Sequence, residues 1–225
     1  MNIINLHSWS VTPSEAILIQ QQLGKQLCLD EAPDLARVRM VAGADVSMEK
    51  DSGMVVAAVV VMSFPGLKKI EERWARREAG FPYVPGLLAF REGPALLQAF
   101  RNLEHEPDLL LFDGQGIAHP RGLGIASHLG LILDRPSVGV AKSVLVGTFR
   151  EPAPEPGSFT PLFDEGLVVG AALRTRYRVK PVFVSPGHKI DYNTAIEACL
   201  RCCRGYRLPE PVRAAHILAG RLKKG

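Results

Sequence analysis

Residues 38–77 read VRMVAGADVSMEKDSGMVVAAVVVMSFPGLKKIEERWARR, and three β-prone runs follow one another in it: Val38–Val46, Met54–Phe64 and Lys69–Arg77. The first two are separated by the turn-forming Glu49-Lys50-Asp51-Ser52-Gly53 and the last two by Pro65-Gly66, so the spacing predicts an antiparallel meander. Upstream, Ala16, Ile17, Gln20, Leu23 and Leu27 recur at helical intervals within Val11–Leu29, behind a Thr12-Pro13-x-Glu15 start signal. Downstream, the pattern turns helical from Gly86 to Leu103, with a break expected at Gly93-Pro94 and Pro94 opening a second helix. Short apolar runs at Leu109–Phe112, Ser137–Ala141, Leu167–Arg174 and Pro181–Val184 then alternate with helical patterns at 124–133, 191–204 and 210–223. The proline-rich Glu151–Thr160, with Pro152, Pro154 and Pro156, reads as a surface loop.

A meander followed by alternating helix and buried strand predicts an α/β fold, a mixed sheet with helices on both faces, in the order of ribonuclease H-like folds. The 225 residues, 47% hydrophobic, suffice for one sizeable core, so 1–225 reads as a single domain. A net charge of +4 and a pI near 9.0 favour a polyanionic partner only modestly. No apolar run approaches the roughly 20 residues that cross a bilayer, and Met1 to Ser10 lacks the composition of a signal peptide. The expectation is a soluble cytoplasmic protein without a membrane partner, acting as a monomer. Three of the four cysteines, Cys199, Cys202 and Cys203, cluster in a helical segment, and with Cys28 they read as reduced thiols. Cys199-x-x-Cys202 lacks a second pair for zinc and a thioredoxin context, which leaves packing as its reading.

Two carboxylates end apolar strands: Asp45 in Val41-Ala42-Gly43-Ala44-Asp45-Val46, and Asp113 after Leu109-Leu110-Leu111-Phe112. Burying a lone carboxylate is costly unless a cation or hydrogen bonds neutralise it, and Mg²⁺ takes oxygens from one or two carboxylates plus phosphate and water. Two such aspartates on neighbouring strands make a Mg²⁺ site; either alone reads equally well as a cap of the following turn. Glu92, just before Gly93-Pro94, is expected at a helix N-terminus, where the dipole keeps it ionised as a third ligand or water holder; an ordinary surface glutamate is the alternative. Two loops lack a packing rationale. In Phe81-Pro82-Tyr83-Val84-Pro85-Gly86 prolines stiffen an aromatic tip, as insertion into a base stack requires. In Asp113-Gly114-Gln115-Gly116-Ile117-Ala118-His119-Pro120-Arg121 glycines let backbone approach a flat ligand, with His119 and Arg121 available for phosphate.

The stretches FPYVPGLLAFREG (81–93) and DGQGIAHPRGLGIASHLG (113–130) resemble the endonuclease V family. So do Val138-Gly139-Val140-Ala141-Lys142-Ser143, Ser185-Pro186-Gly187-His188, and Arg207-Leu208-Pro209-Glu210-Pro211 with His216, so the likeness spans nearly the whole chain. The resemblance implies a Mg²⁺-dependent nuclease, with Mn²⁺ able to substitute, that finds deaminated adenine in DNA or RNA. It implies cleavage of the second phosphodiester bond 3′ to inosine, leaving a 3′-hydroxyl and a 5′-phosphate. By the same resemblance Asp45 and Asp113 match the metal-binding aspartates, Glu92 the third acidic residue, and His216 the histidine near the attacking water. Pro82, Tyr83, Val84 and Pro85 match a wedge; Val84 stands where the family often has Ile. Gly86, Leu88, Gly114, Gly116, His119, Ile125, Gly139 and Leu145 match positions around the flipped hypoxanthine, and Lys142 a phosphate contact.

Without the resemblance, His216 reads better as a satisfied core histidine, and the tail Arg221-Leu222-Lys223-Lys224 reads as a solvated helix end. Three other readings compete. A different ribonuclease H-like nuclease would share the acidic residues but not the wedge and glycine-rich pocket. A non-cutting inosine-binding module would be expected to have lost an acidic residue. A serine hydrolase needs a Gly-x-Ser-x-Gly elbow that is absent around Ser127-His128.

Overall fold

The computed structural model describes residues 1–49 and 52–223. Helix α1 (Pro13–Gly24) is followed by strands β1 (Met40–Met48), β2 (Met54–Ser63) and β3 (Lys69–Glu78). Next come α2 (Leu88–Arg101), β4 (Leu109–Phe112), α3 (Ile125–Leu133) and β5 (Ser137–Ala141). The chain continues through β6 (Thr148–Phe149), β7 (Phe159–Asp164), β8 (Leu167–Leu173) and β9 (Val182–His188) to α4 (Tyr192–Arg201) and α5 (Glu210–Leu222). All nine described strands form one sheet in the order β3-β2-β1-β4-β5-β9-β8-β7-β6, the mixed ribonuclease H-like arrangement. β1 to β3 are the antiparallel meander; β4 and β5 run parallel to β1, and every later pairing is antiparallel.

The sheet buries both faces. On one, Leu96, Phe100, Ile125 and Leu129 of α2 and α3 cover Ala42, Ala44, Leu110 and Phe112. On the other, Ile196, Val212, Ala215 and Leu218 of α4 and α5 cover Val41, Leu111, Val138 and Val140. That two-sided burial is why β4 and β5 read as continuous apolar runs rather than alternating ones. Cys199 and Cys202 are buried in the second cluster as free thiols, the packing role read for them.

Several expectations need correction. The first helix ends at Gly24 rather than Leu29, although its start carries the full capping box between Thr12 and Glu15. α2 does not break at Gly93-Pro94: it continues through Pro94. An internal proline forfeits one helical hydrogen bond and costs roughly 3 kcal/mol. Here Ala89, Phe90 and Gly93 before it and Ala95, Leu96, Ala99 and Phe100 after it are all buried, and that shared apolar face outweighs the lost bond. The loop of residues 151–160 ends in β7, a strand hidden from pattern reading because Pro161 stands within it. β9 extends past Val184 through Pro186 to His188. Lys50 and Asp51 of the first turn and Lys224 of the tail lie outside the described residues; Glu49 N–H still donates to the Met54 carbonyl across that turn at 2.9 Å.

Candidate active site

The C-terminal ends of three adjacent parallel strands carry the charged residues. Ala44 of β1 pairs with Phe112 of β4, and Phe112 with Gly139 of β5. The Asp113 N–H donates to the Ala44 carbonyl at 2.9 Å, which sets Asp113 beside Asp45. Lys142, one residue beyond β5, then reaches the Asp113 carboxylate with its ammonium. α5 arrives from above because Gly43 has no side chain: a Cβ there would lie 2.0 Å from the Pro211 carbonyl carbon. With α5 seated on β1, His216 stands over Asp45, and its Nδ1–H donates to Asp45 Oδ2 at 2.7 Å. Donor atoms of Asp45, Asp113 and His216 all fall within 4.8 Å of one another. Asp45 is only 8% exposed. His216 has a side chain 54% exposed, so it is not a core histidine.

Glu92 approaches from α2, on the opposite face of the sheet. It is the fifth residue of that helix rather than its N-terminus, so the helix dipole does not keep it charged. Instead burial, followed by repulsion from Asp45 and Asp113, pushes its carboxyl up to about 8. Burial and the neighbouring Asp113 also raise Asp45, against the pull of His216. Two oxygen-donor carboxylates with a third close by form the donor set a hard divalent cation prefers. Lys142 supplies the one ammonium paired directly with this group among the described residues. Its backbone is held in turn by Arg207, whose guanidinium donates to the carbonyls of Lys142 at 2.6 Å, Pro181 at 2.8 Å and Lys180 at 3.0 Å.

Beside this site lies a cavity of about 160 Å³. Tyr83, Val84 and Pro85 stand on its rim, and Gly86, Leu88, His119, Ile125 and Leu145 line it. The loop 81–87 has buried feet and a free tip. Phe81 and Leu87 pack with Ala16 and Phe90, whereas Tyr83 between them is 70% exposed. The expected glycines do something else. A Cβ on Gly116 would lie 2.0 Å from the Pro186 carbonyl oxygen, and one on Gly139 would lie 2.2 Å from the Gly116 nitrogen. These glycines let β5, β9 and the loop after β4 pack backbone to backbone, which builds the wall of the cavity without lining it. Gly114, at φ +155°, instead makes room for a side chain, since a Cβ there would lie 2.6 Å from Ile125 Cγ2.

His119 and Arg121 are not free for phosphate, because both donate to the carbonyl of Gly86. Five residues of the cavity escaped the sequence reading: Gln20, Ala89, Gln115, Leu123 and Gly124. Gln20 did leave a signal, since a glutamine in the apolar stripe of α1 is a buried polar group that must find partners.

The sequence pattern of the family described as Endonuclease V matches residues 21–217. An endonuclease V from Methanothrix thermoacetophila is 54% identical over 214 residues, covering 95% of this chain and 93% of its own. The solved endonuclease V of Streptomyces avermitilis superposes with a TM-score of 0.92 at 41% identity, covering 100% of this chain and 98% of that one. The Ciona intestinalis endonuclease V, 28% identical with a TM-score of 0.83 over 95% of this chain and 99% of its own, was solved with a 23-mer DNA containing an inosine followed by a ribo-adenosine.

Proposed function

The chain belongs to the endonuclease V family and is a nuclease that acts on DNA, and on that premise we propose that it cuts the second phosphodiester bond 3′ to an inosine, leaving a 3′-hydroxyl and a 5′-phosphate. The observation that carries this reading is the juxtaposition of an acidic cluster, Asp45, Asp113 and His216, with a cavity rimmed by an exposed, proline-bracketed Tyr83. Asp45 and Asp113 would hold Mg²⁺, or Mn²⁺ in its place, through their oxygens. When bound, such an ion supplies the positive charge that in-line hydrolysis needs at the attacking water, the phosphorus and the leaving oxygen. His216 orients Asp45 through its Nδ1–H and turns its exposed ring edge toward solvent, where an attacking water can be met. Glu92 holds a proton or a water against the two aspartates. Lys142, whose ammonium pairs with Asp113 at the edge of the cluster, is the cation that would meet a phosphate oxygen.

Tyr83 fills the gap left in the stack by an extruded base, and the cavity receives that base. RNA is a second substrate on this reading, because the Ciona relative was solved on an inosine followed by a ribo-adenosine, a ribose at the neighbouring position. We take the protein to be a cytoplasmic, monomeric, single-domain enzyme; no described helix is long and apolar enough to cross a membrane.

The test is a gel comparing one inosine in DNA and in RNA, with Mg²⁺, with Mn²⁺ and with EDTA. The expected product ends one nucleotide past the inosine on its 3′ side, and EDTA abolishes it. Excision of the base, cleavage that survives EDTA, or no cleavage of either substrate would refute the proposal.

A further inference from the structure

Three side chains converge on one carbonyl, that of Gly86, the residue directly after the wedge. Gln20 Nε2 donates to it at 3.0 Å, His119 Nε2 at 2.9 Å and Arg121 Nη2 at 2.7 Å. The donors are tied to each other as well. Arg121 Nε donates to Gln20 Oε1 at 2.6 Å, and Gln20 Nε2 also donates to the Leu123 carbonyl at 3.1 Å. The Arg121 backbone N–H donates to His119 Nδ1 at 3.2 Å, so Nδ1 is the acceptor and the ring proton sits on Nε2, facing Gly86. Gln20 is 1% exposed and His119 6%. Burial holds His119 down to about 4, so the ring stays neutral near pH 7.

A carbonyl oxygen has two lone pairs, and an ordinary turn satisfies it with one donor. Three donors, one of them charged, over-determine the position of this one. They come from α1, whose Ala16 also packs with Phe81 and Leu87, and from the loop after β4. Gly86 takes φ +77°, and a Cβ there would lie 2.6 Å from Arg121 Nη2, so the knot also requires glycine at that position. One residue later the chain is buried at Leu87 and enters α2, which carries Glu92.

We propose that Gln20, His119 and Arg121 are positioning residues for base recognition, tying the Gly86 carbonyl so that the wedge stands at a fixed height over the cavity. The inference rests on the reading of this chain as an inosine-directed nuclease. It assigns a role to α1, an element that contributes nothing to the acidic cluster. Holding the wedge matters where a base must be extruded from a paired stack, and matters less where no partner strand opposes extrusion.

The experiment measures single-turnover cleavage against enzyme concentration on one inosine in duplex and in single-stranded DNA, with melting temperature alongside. Gln20→Met keeps length and volume but removes the amide; Arg121→Met removes the fork. Each is expected to raise half-saturation on the duplex about tenfold, the size of one or two lost buried hydrogen bonds. The rise on the single strand should be distinctly smaller, and the double variant should lose little more than either single, because both cut the same knot. Should either methionine variant fail to fold, Gln20→Glu retains the acceptor for Arg121 while losing the donor to Gly86, and should show the same duplex bias. Equal losses on the two substrates, or losses that multiply in the double variant, would overturn the knot while leaving the enzyme's function intact. A wild type that cuts neither inosine substrate would fell the function and the knot together.

Discussion

The acidic cluster and the base cavity lie side by side, yet they are built from opposite materials. The cluster concentrates like charge at the ends of β1 and β4 with Glu92 of α2 beside them, and burial followed by mutual repulsion raises Asp45 and Glu92. The cavity holds almost no charge. Its wall is backbone packed on glycine, its tip is locked by proline, and its polar members include a neutral imidazole and an amide tied into a knot and a second amide, Gln115, held to the Ser143 carbonyl. The difference follows from the tasks. Hydrolysis needs a charge at one point in space, so the chain supplies ionisable groups and leaves their repulsion for a cation to relieve. Recognition of a planar base needs shape, so the chain removes side chains or immobilises them.

If the two regions are that distinct, they can be broken separately. Asp45→Asn or Asp113→Asn keeps the shape of the side chain and removes the charge that would hold the cation. The single-turnover rate should fall by about a thousandfold or more, the loss expected when several kcal/mol of transition-state stabilisation disappear. Affinity for an inosine duplex should stay within about threefold, since the neutral cavity is untouched. Turnover near that of wild type at saturating Mg²⁺ would remove the metal assignment. Binding lost in parallel with turnover would show that the two regions are one.

The same contrast explains what could be read from sequence. A carboxylate closing an apolar strand is conspicuous because burial without a partner is costly, so Asp45 and Asp113 stood out from their immediate neighbours alone. Glycines and prolines signalled the loops, but their roles depended on what faces them across the fold. Gly116 meets Pro186 and Gly139 meets Gly116, contacts between segments far apart in the chain that no local pattern encodes. His119 and Arg121 suggested phosphate by residue type, and only the approach of Gln20 from α1 shows that they are spent on Gly86. Pro94, and Pro161 within β7, show the same limit. Each broke a local pattern that long-range burial or sheet pairing overrides.

A smaller effect sharpens the comparison through pH, because the two regions carry shifts of opposite sign. Glu92 is raised from 4.5 to about 8, so its folded form binds protons that its unfolded form has released. In metal-free protein that stability is fully present below about pH 4.5 and is lost as pH rises through about 8. His119 is lowered from 6.5 to about 4, so its contribution is present above 6.5 and lost as pH falls toward 4. The melting-temperature gain from Mg²⁺ should therefore grow from about pH 5.5 to about pH 8.5. In Glu92→Gln that growth should flatten, while the acid-side decline set by His119 persists. A Mg²⁺ gain independent of pH in wild type would mean that the carboxylates are already neutralised without a cation.

The smallest effect is expected at the point where the two regions meet the duplex. Tyr83 is 70% exposed between buried Phe81 and Leu87, so its ring contributes little to the core. Tyr83→Ala should shift stability by no more than about 0.5 kcal/mol, the usual range for surface changes. Extrusion of a paired base costs a few kcal/mol, and a ring that occupies the vacated gap recovers only part of it. Half-saturation on inosine duplex should then rise about fivefold, less than for the knot variants, because those displace the whole loop rather than its tip. On single-stranded inosine the rise should be under about twofold, since no partner strand closes behind the base. The rate at saturation should hold on both substrates, as the acidic cluster keeps every group. Titration of wild type and Tyr83→Ala on the two substrates, with melting temperature as the folding control, decides the matter. Equal losses on duplex and single strand, together with a lowered melting temperature, would return Tyr83 to the packing of the loop and leave the cavity without a wedge.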